Sequence, residues 1–343
     1  MRLWELYHES CPSFLQELAD APAMQRLEDI GMNCGCEYTG FPIYRHLGPH
    51  SRYDHSVGVG LIVWHFTHDR TQAAAGLFHD IATPVFAHVV DFLRGDYLSQ
   101  ESTEDGTLSV IMNSPELMAT LKRYQIVPED TGDYHRYPIA DNDAPRLAAD
   151  RLEYTLSNMV NFGYASRSET AAFYRDLCIA ENEDGLPELA FQTGETALDF
   201  SMRALCLSRL YESKEDRYAM EMLSELLREA LSLGVLKRSE LYTSETAVIQ
   251  KLRSDTRTAW AWNHYRMLSS VRSAEQPLDN GPWRQIQVKR RYMDPLIAGE
   301  GRVSHCNPLY RSALDEYRAD DLGEWLCGYA VPVEECESSA KEI

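Results

Sequence analysis

The sequence has no apolar run approaching the roughly 18 residues a membrane-spanning helix needs, so no membrane span is expected. Its first residues, MRLWELYHESCPSF, lack the apolar core of a secretory signal, which makes the cytoplasm the expected location. Positive charge is scarce: 33 lysines and arginines stand against 53 aspartates and glutamates, a formal net charge of −20. Such a chain repels nucleic-acid backbones and anionic membranes at long range, so neither is an expected partner. A phosphorylated substrate would need a local basic pocket, which makes any arginine near the chemistry informative. The eight cysteines form no CxxC…CxxC framework. The one close pair, Cys34 and Cys36 in CGC, reads with the rest as reduced thiols. No repeat with a period of 20–50 residues is present.

What is present is helical. With 44% hydrophobic residues over 343 positions, the chain can bury a large core in one domain or two. Apolar residues recur at three-and-four spacing in SCPSFLQELADAPAMQRLEDIG. HSVGVGLIVWHFTHD and TQAAAGLFHDIATPVFAHVVDFLRG read as buried helices. SPELMATLKRYQI opens on a capping Ser114 with Pro115 at the first helical position. APRLAADRLEYTLSNMVNFG, ETAAFYRDLCIA, GETALDFSMRALCLSRLYE and EDRYAMEMLSELLREALSLG follow. Strand signals come late: WRQIQVKRRYMDPLI alternates apolar and polar residues, and GEGRVSH could pair with it. The expected architecture is an all-α body over 1–235 and a small α+β module over 236–343 with a short β-hairpin and a helix. The tail VEECESSAKEI reads as disordered.

GLFHDIATPVFAH (Gly76–His88) sets His79 beside Asp80 in apolar surroundings. A buried ionised carboxylate is costly unless it is paired or metal-bound. The pair is therefore either a polar accident at the surface or half of a metal site. His55 in SRYDHSVGVG and Asp150 in AADRLEYTLSN lie in similar context. Two imidazoles and two carboxylates suit one divalent ion (Mn, Fe, Ni, Co, Zn or Mg) with positions left for water or a phosphate oxygen. Spacing alone leaves the metal and the satisfied-core readings both open.

The order RYDHSVGVG, LFHDIATPVFAH, DRLEYTLSN resembles the HD-domain metal-dependent phosphohydrolases, and more narrowly their deoxynucleotide triphosphohydrolase branch. The likeness runs from DAPAMQRLEDIG to about residue 235, and VKRRYMDPLI also looks like a segment of bacterial HD proteins. The resemblance implies an all-helical HD core in which His55, His79, Asp80 and Asp150 hold one metal. It implies phosphate contacts from Arg52 and Arg151, and substrate contacts from Tyr154 and Asn158, the latter in place of an aspartate. It places Arg203 on the terminal phosphate and Tyr211 on the sugar, with Lys214 close by. His88 matches an active-site histidine, with Asp91 and Glu104 the carboxylates that orient it for proton transfer. Relatives often self-associate, so a homo-oligomer is an expectation.

The departures are specific. Thr83 and Thr103 stand where the branch has histidines, the sugar-reading glutamine is replaced near Met32, and Glu28 replaces a basic contact of the allosterically regulated members. The expected function is therefore a metal-dependent phosphohydrolase acting on a nucleotide, such as a (deoxy)nucleoside triphosphate, or a similar small phosphorylated molecule. The alternatives are an HD phosphodiesterase or phosphomonoesterase, with His135 helping a second metal, and a nucleotide-binding regulatory protein with weak catalysis.

Overall fold

The computed structural model describes residues 3–94, 106–279 and 281–330. Its helices are α1 (Ser13–Ala19), α2 (Pro22–Gln25), α3 (Arg52–Thr67), α4 (Arg70–Phe78), α5 (Val89–Arg94), α6 (Thr107–Met112), α7 (Pro115–Arg123), α8 (Ala149–Asn161), α9 (Arg167–Arg175), α10 (Gly194–Tyr211), α11 (Lys214–Ser232), α12 (Glu245–Leu252), α13 (Thr256–Arg266), α14 (Val303–Cys306) and α15 (Pro308–Ala319). Its strands are β1 (Leu177–Glu181), β2 (Pro187–Phe191), β3 (Leu268–Ala274), β4 (Arg284–Gln285), β5 (Leu296–Ile297), β6 (Gly301–Arg302) and β7 (Trp325–Ala330).

The central helix is α3. Ser51 Oγ accepts from the Asp54 N–H at 3.2 Å while Asp54 Oδ2 accepts from the Ser51 N–H at 3.3 Å. This reciprocal pair satisfies donors that a helix start leaves unpaired. Val57, Val59, Leu61, Ile62 and Val63 are all buried, as befits a helix surrounded by others. The chain reverses at His68, whose φ is 53°. Asp69 then caps α4 by accepting from the N–H groups of Thr71 and Gln72. A Cβ at Gly76 would lie 3.1 Å from Val63 Cγ2, so a missing side chain lets α4 lie close against α3.

Three expectations are corrected. The stretch from Thr71 to Gly95 is not one helix: α4 ends at Phe78, turns follow, and α5 begins at Val89. Pro84 has no N–H to continue a helix, and Phe86 and Ala87 have φ of 59° and 42°, a left-handed conformation non-glycine residues rarely adopt. The turn is tied from outside. Arg26 donates to the carbonyls of Ile81 at 2.9 Å and Thr83 at 2.8 Å, and the Val85 N–H donates to Leu241 O at 2.8 Å.

Second, the body is not purely helical, because LCIAE and PELAF form an antiparallel hairpin, β1–β2. Asn182 Oδ1 accepts from the N–H groups of Asp184 at 3.0 Å and Leu186 at 3.1 Å, closing the turn that the helical reading of DLCIA missed. Third, WRQIQVKRRYMDPLI is a strand only at its ends, β4 and β5. GEGRVSH does supply β6, which pairs antiparallel with β5.

The chain is thus largely helical with two small sheets, ordered β1-β2-β5-β6 and β3-β7-β4. β2 pairs in parallel with β5, joining the first half to the second. Both apolar cores do the same. One runs from Tyr7 to Tyr317 and the other from Cys34 to Leu326, so packing continues across residue 235. Among the described residues, no helix is long and apolar enough to cross a membrane. The tail VEECESSAKEI lies outside them.

Candidate metal centre

Four side chains from three places converge. His55 is on the first turn of α3, His79 and Asp80 follow α4, and Asp150 is on the first turn of α8. His55 Nε2 lies 3.1 Å from His79 Nε2, 3.1 Å from Asp150 Oδ1 and 3.9 Å from Asp80 Oδ2. His79 Nε2 lies 3.4 Å from Asp80 Oδ2 and 3.7 Å from Asp150 Oδ1. Donors each about 2.1 Å from a shared metal lie roughly 3.0 to 3.4 Å apart, and three of these five separations match, with the other two somewhat wider. His55, His79 and Asp80 are all buried, with ligand atoms within 4.8 Å of one another.

The outer nitrogens show why a cation fits. His55 Nδ1 lies 2.6 Å from Glu153 Oε2, and His79 Nδ1 lies 2.7 Å from Gly76 O. Both partners only accept, so each Nδ1 carries the proton. In neutral rings both Nε2 lone pairs then point into the same space. A metal resolves this, and without one a proton must. Burial works against charge on His55, but hydrogen bonds to Asp150 and Glu153 outweigh it and push its pKa up to about 10. Burial likewise opposes charge on Asp80, and Arg52 with the two imidazoles overrides it, holding the carboxyl well below the usual range.

Asp80 is fixed at both oxygens. Arg52 donates to Oδ2 at 2.7 Å and Thr83 Oγ1 donates to Oδ1 at 2.7 Å. Arg52 is therefore part of the cluster, and Thr83 holds Asp80 from its other oxygen. Glu153, which the sequence pattern did not single out, is wholly buried. It accepts from Tyr7 OH at 3.2 Å and Ser157 Oγ at 2.5 Å besides His55. A Cβ at Gly58 would fall 2.6 Å from Glu153 Cγ, so glycine makes room for this carboxylate.

The other expected residues divide. Asn158 Nδ2 donates to Tyr211 OH at 2.7 Å, linking α8 to α10. Tyr154 lies on the same helix, within electrostatic reach of Asp150 and Arg291. His88 follows the left-handed residues and is approached to 3.5 Å by Arg291, from the segment between β4 and β5. Arg151 is turned onto the loop before α8, pairing with Asp141 at 2.9 Å and donating to Arg146 O at 2.7 Å.

Arg203 is not brought to the cluster. Its guanidinium bonds Asp199 and Glu169 at 2.9 Å and Tyr164 O at 2.7 Å, which gives each nitrogen a partner between α9 and α10. Lys214 opens α11 and makes no ion pair among the described residues. Glu104 and the side chain of Asp91 lie outside the described residues, as does Thr103. His135 is exposed and pairs with Asp133 and Asp141. The Cys34 thiol is pushed up to about 11 by burial, which disfavours the thiolate a metal or redox role needs.

No family model matches the chain. Over 289 residues it is 27% identical to the uncharacterized protein YdhJ of Bacillus subtilis, covering 82% of this chain and 83% of that protein. Over 224 residues it is 28% identical to the metal-dependent phosphohydrolase cns2 of Cordyceps militaris, covering 62% of this chain and 58% of that protein. The fold resembles that of a phosphohydrolase (BT4208) from Bacteroides thetaiotaomicron, with a TM-score of 0.64, 15% identity, and coverage of 92% of this chain and 95% of the other.

Proposed function

We propose that this chain is a metal-dependent phosphohydrolase of the HD type acting on a small phosphorylated substrate, a nucleotide foremost. The observation that carries the reading is the pair of inward-facing Nε2 atoms of His55 and His79, 3.1 Å apart and flanked by two carboxylates. The phosphohydrolase names of the Cordyceps relative and the Bacteroides neighbour support it. So does Arg52, a buried guanidinium beside the ligands.

A divalent ion held by His55, His79, Asp80 and Asp150 would supply Lewis acidity and an activated water. The chain's own groups do the rest. Arg52 holds Asp80 in place and adds positive charge next to the reacting phosphoryl group, where charge stabilisation is most of what catalysis requires. His88 exchanges a proton at Nε2 with the attacking water or leaving oxygen. Tyr154 and the Asn158–Tyr211 pair form a wall for the organic part of the substrate.

The test is hydrolysis of a panel of ribo- and deoxynucleotides and simple phosphoesters in Mn, Co, Ni and Mg, scoring phosphate and triphosphate separately. The expected result is metal-dependent release that His79→Ala abolishes. Triphosphate release would assign the deoxynucleotide branch, and phosphate release a phosphatase on this scaffold. A metal-loaded protein that binds nucleotides and turns over nothing would favour the regulatory reading, in line with Thr83 and Thr103. Sedimentation of the same sample checks the expected self-association.

A further inference from the structure

We infer that Arg291 is a phosphate-binding residue of the active site, delivered by a strap formed by residues 286–295. The inference rests on the phosphohydrolase reading above; the sequence leaves Arg291, with Trp283, Arg290 and Tyr292, either packed against the body as a strand or covering the site. Arg291 is 203 positions from His88, yet its guanidinium lies 3.5 Å from His88 Nε2. Its charge also acts on Tyr154 and Tyr211, which come from α8 and α10. One of the groups expected to face substrate thus touches this guanidinium, and two more feel its charge.

The strap has no regular secondary structure, but it is held at nearly every step. Arg217 donates to Ile286 O at 2.9 Å. Arg290 turns the other way, donating to Tyr317 O at 2.7 Å and Arg318 O at 2.5 Å. Tyr317 OH, whose shorter bond goes to Glu212, also lies 3.2 Å from Arg291 O itself. Met293 is buried, and Tyr310 OH bonds its carbonyl. Asp294 accepts from Ser304 N at 2.9 Å and Oγ at 2.5 Å, while its N–H donates to Pro145 O at 2.8 Å. The two neighbouring arginines thus act in different directions. Arg290 locks the strap onto α15, and Arg291 is presented to His88.

The other basic residues sharpen the assignment. Arg203 is engaged near α9, and Arg151 is turned onto the loop before α8. A polyanionic substrate in a chain of net charge −20 needs more than Arg52 alone to bind. A planar guanidinium beside the proton-carrying histidine suits two oxygens of one phosphoryl group.

The test is calorimetric binding of inorganic phosphate to Mn-loaded and metal-free full-length protein, with kcat and KM on the best panel substrate. Arg291→Ala is expected to weaken phosphate binding at least tenfold and to raise KM, with Arg291→Lys intermediate. Arg123→Ala, a surface control, leaves both unchanged. Melting curves check that the variants fold, and Tyr317→Phe, which frees the Arg291 carbonyl and Glu212 but keeps the Arg291 charge, should raise KM by a smaller factor. Equal phosphate affinity in wild type and Arg291→Ala overturns the inference, as does a wild type that binds no phosphate. A wild type that binds phosphate through Arg291 and hydrolyses nothing sustains the anion site and removes the hydrolase reading.

Discussion

Glu153 Oε2 lies 2.6 Å from His55 Nδ1, and the carboxylate that makes this contact is wholly buried. It fixes which imidazole nitrogen faces the cluster. Glu153→Gln keeps the shape and removes the charge, so metal affinity should fall about 10- to 100-fold, read by competition with a chelator. Glu153→Ala also strips an acceptor from Tyr7, Ser157 and His55, and should cost on the order of 3 kcal/mol of stability by denaturant unfolding. Unchanged metal affinity in Glu153→Gln would show that the contact is structural only.

Gly58→Ala places a methyl group 2.6 Å from Glu153 Cγ if nothing moves. The carboxylate must shift, and His55 with it. Metal affinity is expected to drop about tenfold or more, with a stability loss of about 1 to 3 kcal/mol. Gly76→Ala crowds Val63 instead and should lower stability. A Gly58→Ala protein that binds metal as tightly as wild type would contradict the coupling.

Thr83→Val removes the donor to Asp80 Oδ1 and keeps the side-chain shape. Asp80 retains Arg52 and loses its second anchor. Turnover should fall about 10- to 100-fold with metal still bound, checked by metal analysis beside the hydrolysis assay. Full activity in Thr83→Val would leave Arg52 as the sole orienting group.

Glu37 carries a pH dependence unrelated to catalysis. Its Oε2 is buried without a hydrogen-bond partner. Burial first, and then the charge of Glu245, push its carboxyl up to about 8. An unfolded glutamate titrates near about 4.3, so between these values the native state binds more protons. The stability contributed by protonated Glu37 is full below that unfolded value and lost as pH rises through about 8. The metal-free protein should melt a few degrees lower at pH 9 than at pH 6, about 3 to 6 °C. Glu37→Gln should flatten that slope, and an unaltered slope would assign it to other groups.

The convergence of His55, His79, Asp80 and Asp150 was partly legible because they interrupt apolar helical sequence, where uncompensated polar groups are costly, and because their order resembles a known motif. Glu153 offered the same signal three residues after Asp150, but its partner lies 98 residues away, and no local pattern encodes that distance. Arg291 was left undecided in the sequence, between covering the site and lying in a strand with one buried face. Its direction depends on Arg290 and Tyr317, and VKRRYMDPLI alternates well enough to pass for a strand. The turn after Phe78 was misread because Ala82, Val85 and Phe86 continue an apolar run. What breaks the helix there is Pro84, two left-handed residues and the grip of Arg26. The β1–β2 hairpin escaped notice because each strand is five residues long, too short for its alternation to outweigh the helical sequence on either side.

The order β3-β7-β4 has a consequence for biosynthesis. The middle strand of that sheet, Trp325–Ala330, is the last to leave the ribosome. Until it arrives, β3 and β4 have no partner between them, and β3 presents unpaired backbone groups to any other chain nearby. A nascent or prematurely terminated product thus carries an open slot one strand wide, a ready template for aggregation or a target for proteolysis.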